Sequence, residues 1–145
     1  MGVFTDEKIM DKDGNLVDAE PELTGKVILV YFSAHWCPPC RGFTPMLKDC
    51  YEDLEGKPLA IVFVSSDRSK EEMDSYYKES HGEWYRAQHG SELANKLKEN
   101  CNVRGIPTLA VVDGDGNMLD QSARSDVETG PPSKAFEKWQ KLSQK

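Results

Sequence analysis

Two cysteines separated by two prolines, Cys37-Pro38-Pro39-Cys40, carry the clearest chemistry in the sequence. The surrounding stretch runs Val30-Tyr31-Phe32-Ser33-Ala34-His35-Trp36-Cys37-Pro38-Pro39-Cys40-Arg41: an apolar run, the cysteine pair, then the start of an amphipathic helical pattern. A helix that begins at such a pair holds the first thiol against backbone N–H groups that lack partners within the helix. Those donors favour a thiolate, so Cys37 is expected to ionise below the value of about 8.5 of a free cysteine. The pair can also close a small disulfide. The first cysteine attacks a substrate disulfide and the second resolves the mixed disulfide. The competing reading is half of a zinc site. Structural zinc takes four ligands, commonly two such pairs or a pair with histidines. Here Cys50 and Cys101 are isolated and no two histidines have ligand spacing, so a redox pair without metal is expected. Two prolines also suit the first turn of a helix.

The other reactive residue types read more plainly. Cys50 falls on the apolar stripe of the helix after Cys40, and Cys101 follows Leu97 by four residues. Both are expected to be core thiols. Trp36 directly precedes the nucleophile in a loop, which argues for a surface position and a part in contacting partners. His35, when protonated, would place a cation near Cys37. Trp84 and Trp139 are expected to pack inside. Asp11-Lys12-Asp13-Gly14 begins like a calcium loop, but Leu16 stands where such a loop needs glycine, so a turn is expected.

These residues need elements to position them. Lys8-Ile9-Met10 and Asn15-Leu16-Val17 flank the Asp11–Gly14 turn as a small hairpin. Residues 26–32 form a continuous apolar run of buried-strand type that ends at the cysteine loop. Phe43, Met46, Leu47, Cys50, Tyr51 and Leu54 then recur at helical spacing. Pro45 lies inside that helix and is expected to kink it near residue 41. Gly56 and Pro58 end it. Residues 59–64 form a second buried strand, joined to the first by a right-handed crossover. Ser69-Lys70-Glu71-Glu72 matches a capping box, and Met73, Tyr76 and Tyr77 give the next helix an inward face. Residues 79–90 read as a loop with a short edge strand. Residues 91–100 form another helix, 108–112 a third buried strand, and 118–121 should return antiparallel through the Asp113–Asn117 turn. Gly130-Pro131-Pro132 breaks the chain, and Ser133 is placed to cap a last helix carrying Ala135, Phe136, Trp139 and Leu142. This order gives an α/β fold: a central mixed sheet of about five strands with helices on both faces.

Bulk properties narrow the function classes. The 145 residues hold 18 basic and 25 acidic side chains, a formal net charge of −7, with 38% hydrophobic and 9% aromatic residues. No basic patch stands out, which argues against nucleic acid as a partner. The apolar runs are too short to span a membrane, and residues 1–20 hold no continuous apolar stretch of secretory type. Four cysteines are too few for a secreted disulfide scaffold. A cytoplasmic setting, extending to the nucleus, is therefore expected.

The order of elements, with a Cys-x-x-Cys opening the first long helix, resembles the thioredoxin fold. The segment Tyr31–Arg41 resembles the active-site segment of the tryparedoxin/nucleoredoxin family, as do Ser65-Ser66-Asp67-Arg68-Ser69 and Gly105-Ile106-Pro107-Thr108-Leu109. The likeness covers about residues 8–140. It implies one thioredoxin-like domain over residues 1–145, with a core of about 8–142 and an extra N-terminal hairpin. It also implies that Cys37 is the exposed nucleophile, Cys40 the buried resolving thiol, and Pro107 a cis-proline facing them. Pro45 matches the kink proline of the active-site helix. Trp36, Pro38, Pro39, Ile106 and Pro107 would form the substrate-binding surface. His35, Arg41, Asp67 and Arg124 are candidate modulators, Arg124 because related proteins carry an arginine in that segment. Two departures matter. Where thioredoxin has a buried aspartate six residues before the first cysteine, this chain has Tyr31, which leaves Asp67 as the candidate proton acceptor for Cys40. The Trp-x-x-Val-Pro stretch of tryparedoxins appears only as Trp84-Tyr85-Arg86-Ala87-Gln88.

The expected function is thiol–disulfide oxidoreduction on client proteins through a Cys37–Cys40 dithiol/disulfide cycle. No bound cofactor is expected; the electrons would come from a low-molecular-weight thiol or an NADPH-linked reductase. The protein is expected to be a monomer with a reductant-like potential, nearer the roughly −270 mV of thioredoxin than the roughly −120 mV of DsbA. The alternative, which the resemblance also carries, is a redox-gated binding module of nucleoredoxin type with little turnover.

Overall fold

The computed structural model describes residues 3–143. In chain order the elements are β1 (Lys8–Met10), β2 (Leu16–Asp18), α1 (Ala19–Leu23), β3 (Val27–Ser33), α2 (Pro38–Asp53), β4 (Leu59–Ser65), α3 (Lys70–Ser80), β5 (Tyr85–Ala87), α4 (Glu92–Asn100), β6 (Thr108–Val112), β7 (Met118–Asp120), α5 (Ala123–Thr129) and α6 (Pro132–Ser143). The described strands form a single seven-stranded mixed sheet in the order β2-β1-β5-β4-β3-β6-β7.

The three apolar runs sit at the centre, as their composition requires. β3 and β4 are buried at every position and run parallel, with Val27 opposite Leu59 and Ser33 opposite Ser65. β6 runs antiparallel on the other side of β3, with Tyr31 opposite Leu109. Side chains of a strand alternate between faces, and here each face has its own core. Leu29 and Tyr31 pack with Phe43 and Leu47 of α2, Tyr76 of α3, and Phe136 and Trp139 of α6. Val30 and Phe32 pack on the other face with Leu23 of α1 and with Leu93 and Leu97 of α4. A continuous apolar run is therefore needed, because both faces of β3 are covered.

The sheet is wider than the expected five strands. The N-terminal hairpin does not stand apart; Ile9 pairs with Ala87 and Met10 with Arg86, which joins β1 to β5. β5 is consequently an interior strand and not an edge, since Val62 of β4 pairs with Tyr85 on its other side. Two short helices, α1 and α5, escape the sequence pattern because too few turns are present to show a period. The last helix starts at Pro132, one residue before the expected cap, with proline at the first helical position where its missing N–H costs nothing. Ser69 caps α3 through the Glu72 N–H, and Ser91 caps α4 through the Ala94 N–H. In the β1–β2 turn, the Asp11 carboxylate accepts the N–H groups of Asp13 and Asn15, so that aspartate is committed to the turn. Cys50, Cys101, Trp84 and Trp139 are all buried, as expected.

Candidate active site

The register explains why distant segments meet. Parallel β3 and β4 end together at Ser33 and Ser65, and antiparallel β6 begins at the same sheet end. The loops after β3 and β4 and the loop before β6 therefore converge there. The first carries the cysteine pair, the second Asp67, and the third Ile106-Pro107, whose peptide bond is cis.

The loop after β4 fastens the loop after β3. Ser66 N–H donates to the Ser33 carbonyl at 2.9 Å, and the Trp36 indole N–H donates to the Ser66 carbonyl at 3.3 Å. The Asp67 carboxylate accepts the His35 main-chain N–H at 2.7 Å and the Ser65 hydroxyl at 2.6 Å. Asp67 is thus buried as the clasp of the turn. This corrects its reading as proton acceptor for Cys40: its oxygens are taken up by His35 and Ser65.

Cys37 is the N-cap of α2, with Pro38 and Pro39 in the first two helical positions. Its sulfur accepts the Cys40 N–H at 3.3 Å, and its thiol faces the Ile106 carbonyl at 3.9 Å. A backbone donor aimed at the sulfur from a helix N-terminus favours negative charge on it. Cys37 is not exposed, however: only 4% of its surface remains, against none for Cys40. The implied exposed nucleophile is therefore corrected to a recessed one. Ala34, Cys40 and Ile106 enclose it, so a disulfide must be presented through the narrow opening beside Ile106. Both cysteines are free thiols. Burial, followed by the hydrogen bond with Cys37, pushes the Cys40 thiol up to about 12.

The rim matches the residue types assigned to it. Trp36 is 55% exposed, Pro38 and Pro39 are exposed, and Pro107 is buried beneath Ile106. Arg41 is exposed early in α2. Arg124 lies over the Phe43 ring at 5.7 Å, with its Nε 3.6 Å from Glu128. It shares a groove with Arg104, Ile106 and Pro107. His35 is turned elsewhere than expected. Its ring stacks on Tyr76 at 5.3 Å and its Nε2 pairs with Glu79 at 3.0 Å. Among the described residues, no group of three or more His, Cys, Asp or Glu side chains could hold a metal ion.

Sequence reasoning missed the hydroxyl groups beneath Cys40. Thr44 donates to the Cys40 carbonyl at 2.8 Å and lies 2.6 Å from both the Tyr31 and the Tyr76 hydroxyls. Tyr76 in turn lies 2.6 Å from the Ser33 hydroxyl. The available signals were Ser33, a polar residue closing an apolar run, and Thr44, one helical turn after Cys40.

A family model described as thioredoxin-like matches residues 25–118. Among curated proteins, the chain is 40% identical over 121 residues to a probable nucleoredoxin 1 of Arabidopsis thaliana. That match covers 82% of this chain and 20% of the relative. Among solved structures, a thioredoxin from Wuchereria bancrofti is 41% identical, with 97% of this chain and 99% of that chain covered and a TM-score of 0.84. Tryparedoxin II from C. fasciculata is 34% identical over 92% of this chain and 90% of its own, with a TM-score of 0.81. A tryparedoxin II complexed with glutathionylspermidine is also similar, at 34% identity and a TM-score of 0.79. The chain spans between 20% and 28% of the length of the nucleoredoxins it matches.

Proposed function

The chain belongs to the thioredoxin-like family, among its tryparedoxins and nucleoredoxins, and on that premise we propose that it reduces protein disulfides by a Cys37–Cys40 dithiol cycle. The observation that carries this reading is Cys37 at the cap of α2, its sulfur receiving the Cys40 N–H while Cys40 lies buried behind it. The Cys37 thiolate attacks one sulfur of a client disulfide and expels the other as a thiolate. Cys40 then gives up its proton and attacks Cys37 Sγ. The Cys37–Cys40 bond forms, the client is released as a dithiol, and two electrons have passed to it. Trp36, Pro38, Pro39, Ile106 and Pro107 bound the opening through which the client disulfide reaches Cys37.

An external thiol or an NADPH-linked reductase returns the electrons. The complex of a tryparedoxin II with glutathionylspermidine supports a low-molecular-weight thiol in that role. No helix among the described residues is long and apolar enough to cross a membrane. The test is reduction of insulin disulfides with dithiothreitol as donor. Catalysed turnover is expected, with complete loss in Cys37→Ser. Cys40→Ser should accumulate mixed disulfides on Cys37, identifiable by mass. Trapping by Cys37→Ser but not by Cys40→Ser inverts the roles. Redox-dependent partner capture without turnover replaces the enzyme by a binding module.

A further inference from the structure

Resting on the dithiol cycle just proposed, the geometry points to Ser33 as the group that stabilises the Cys40 thiolate, through a buried hydroxyl chain Ser33–Tyr76–Thr44–Tyr31 that reverses its direction when Cys40 ionises.

Proton counting sets the direction of each link. A hydroxyl has a single hydrogen and can donate a single strong hydrogen bond. Ser33, Tyr76, Thr44 and Tyr31 are fully buried, and their oxygens lie 2.6 Å apart along the chain. When Thr44 donates to the Cys40 carbonyl at 2.8 Å, it has no hydrogen left for its neighbours. Tyr31 and Tyr76 must then both donate to Thr44. Tyr76, having spent its hydrogen, accepts from Ser33. Ser33 is left with lone pairs only and can accept from a neutral Cys40 thiol.

The reverse arrangement keeps every link. Thr44 turns its hydrogen to Tyr76, Tyr76 to Ser33, and Ser33 to the Cys40 sulfur. Tyr31 supplies a hydrogen to Thr44 or to the Cys40 carbonyl, which lies 3.4 Å from its hydroxyl. Only the hydrogen bond from Thr44 to that carbonyl is given up. Chains of this kind polarise cooperatively in a buried setting. The Ser33 hydrogen bond also acts to lower the Cys40 pKa, against burial.

The chain does not lead to solvent, because its members are fully buried. It therefore turns round rather than carrying the proton away. The Cys40 proton goes to the departing client thiolate, and the hydroxyls stabilise the charge left on sulfur while the Cys37–Cys40 bond forms. This fits the chain's departures from the expected pattern: Tyr31 stands in for a buried carboxylate, and Asp67 is committed to the turn. The titratable neighbours contact the Tyr76 ring. His35 stacks on it and pairs with Glu79, and His81 meets it edge-on at 4.3 Å.

The test follows the two colour releases on mixing the reduced full chain with the aromatic disulfide DTNB. The first release reports attack by Cys37. The second reports attack by Cys40 on Cys37 and is identified by its loss in Cys40→Ser. In Ser33→Ala the second release should slow by at least about tenfold, the scale of a hydrogen bond to a charged group, while the first is unchanged. Its pH profile should move about one unit upward. Ser33→Thr, which keeps the hydroxyl, should restore most of the rate. Tyr76→Phe, which removes a single oxygen at the next link, should slow it by a smaller factor. An unchanged second release in Ser33→Ala overturns the assignment, as does slowing with no change in pH profile. A wild-type protein giving a single release denies the dithiol cycle itself, and the role of the hydroxyl chain with it.

Discussion

At the scale of single residues, the four cysteines divide by environment rather than by spacing. Burial pushes the Cys50 and Cys101 thiols up to about 11, and Cys40 to about 12. At pH 8 each is therefore thiolate in about one molecule in a thousand or fewer. Native reduced protein treated briefly with iodoacetamide at pH 8 should leave Cys40, Cys50 and Cys101 unlabelled when peptides are analysed by mass. Labelling of any of the three at the rate of an exposed thiol contradicts these environments. The sequence identified Cys37 and Cys40 from their prolines and the helix behind them. It could not show Asp67 as a clasp or Ser33 as a neighbour of Cys40, because both depend on the strand ends meeting.

At the scale of elements, the N-terminal hairpin is part of the sheet, and its two strands have unequal roles. Ile9 of β1 is fully buried and pairs with Ala87, whereas Leu16 of β2 is 53% exposed. Ile9→Ala should destabilise the protein by about 2–5 kcal/mol, the range for a buried aliphatic truncation. Leu16→Ala should stay within about 0.5 kcal/mol. Urea unfolding followed by circular dichroism measures both; equal losses would place the hairpin outside the core. The hairpin itself was legible from turn residues, but its docking was not. β5 is a three-residue strand with no period to read, and it becomes interior only because β1 arrives from far along the chain. Helix α2 was legible in full from its stripe, and it runs on through Pro45.

At the scale of the whole molecule, stability should depend on pH through His81. It lies at the centre of an aromatic cluster of Tyr31, Phe63, Tyr76, Tyr77 and Trp84. Its Nδ1 accepts the Trp84 indole N–H at 3.1 Å. Burial first, then Arg86 and His35, push its pKa from 6.5 down to about 3. The unfolded chain binds this proton more readily, so the contribution is complete above pH 6.5 and is lost as pH falls towards 3. Denaturant midpoints should drop across that window, worth a few kcal/mol. His81→Gln, which can still accept from Trp84 but does not titrate, should flatten the drop. A wild-type midpoint that is level from pH 6.5 to 4 would refute it. The buried thiols act at the other end: their pKa values are raised, so stability is complete below pH 9.0 and declines as pH rises towards 12.

The sequence by itself determined the chemistry and the central layer. A cysteine pair at a helix start is a local arrangement, and continuous apolar runs state that both faces of a strand are covered. It also determined the surface position of Trp36 and the burial of Cys50, Cys101, Trp84 and Trp139, since these follow from periodicity or loop context. Only the tertiary structure decided what surrounds the sulfurs. The common ending of β3 and β4 brings Asp67 to His35 and so removes it from Cys40. The packing of α3 against α2 sets Tyr76 between Ser33 and Thr44. The approach of Ile106 leaves Cys37 recessed. Each joins residues distant in the chain, and their spacing in sequence carries no record of the contact.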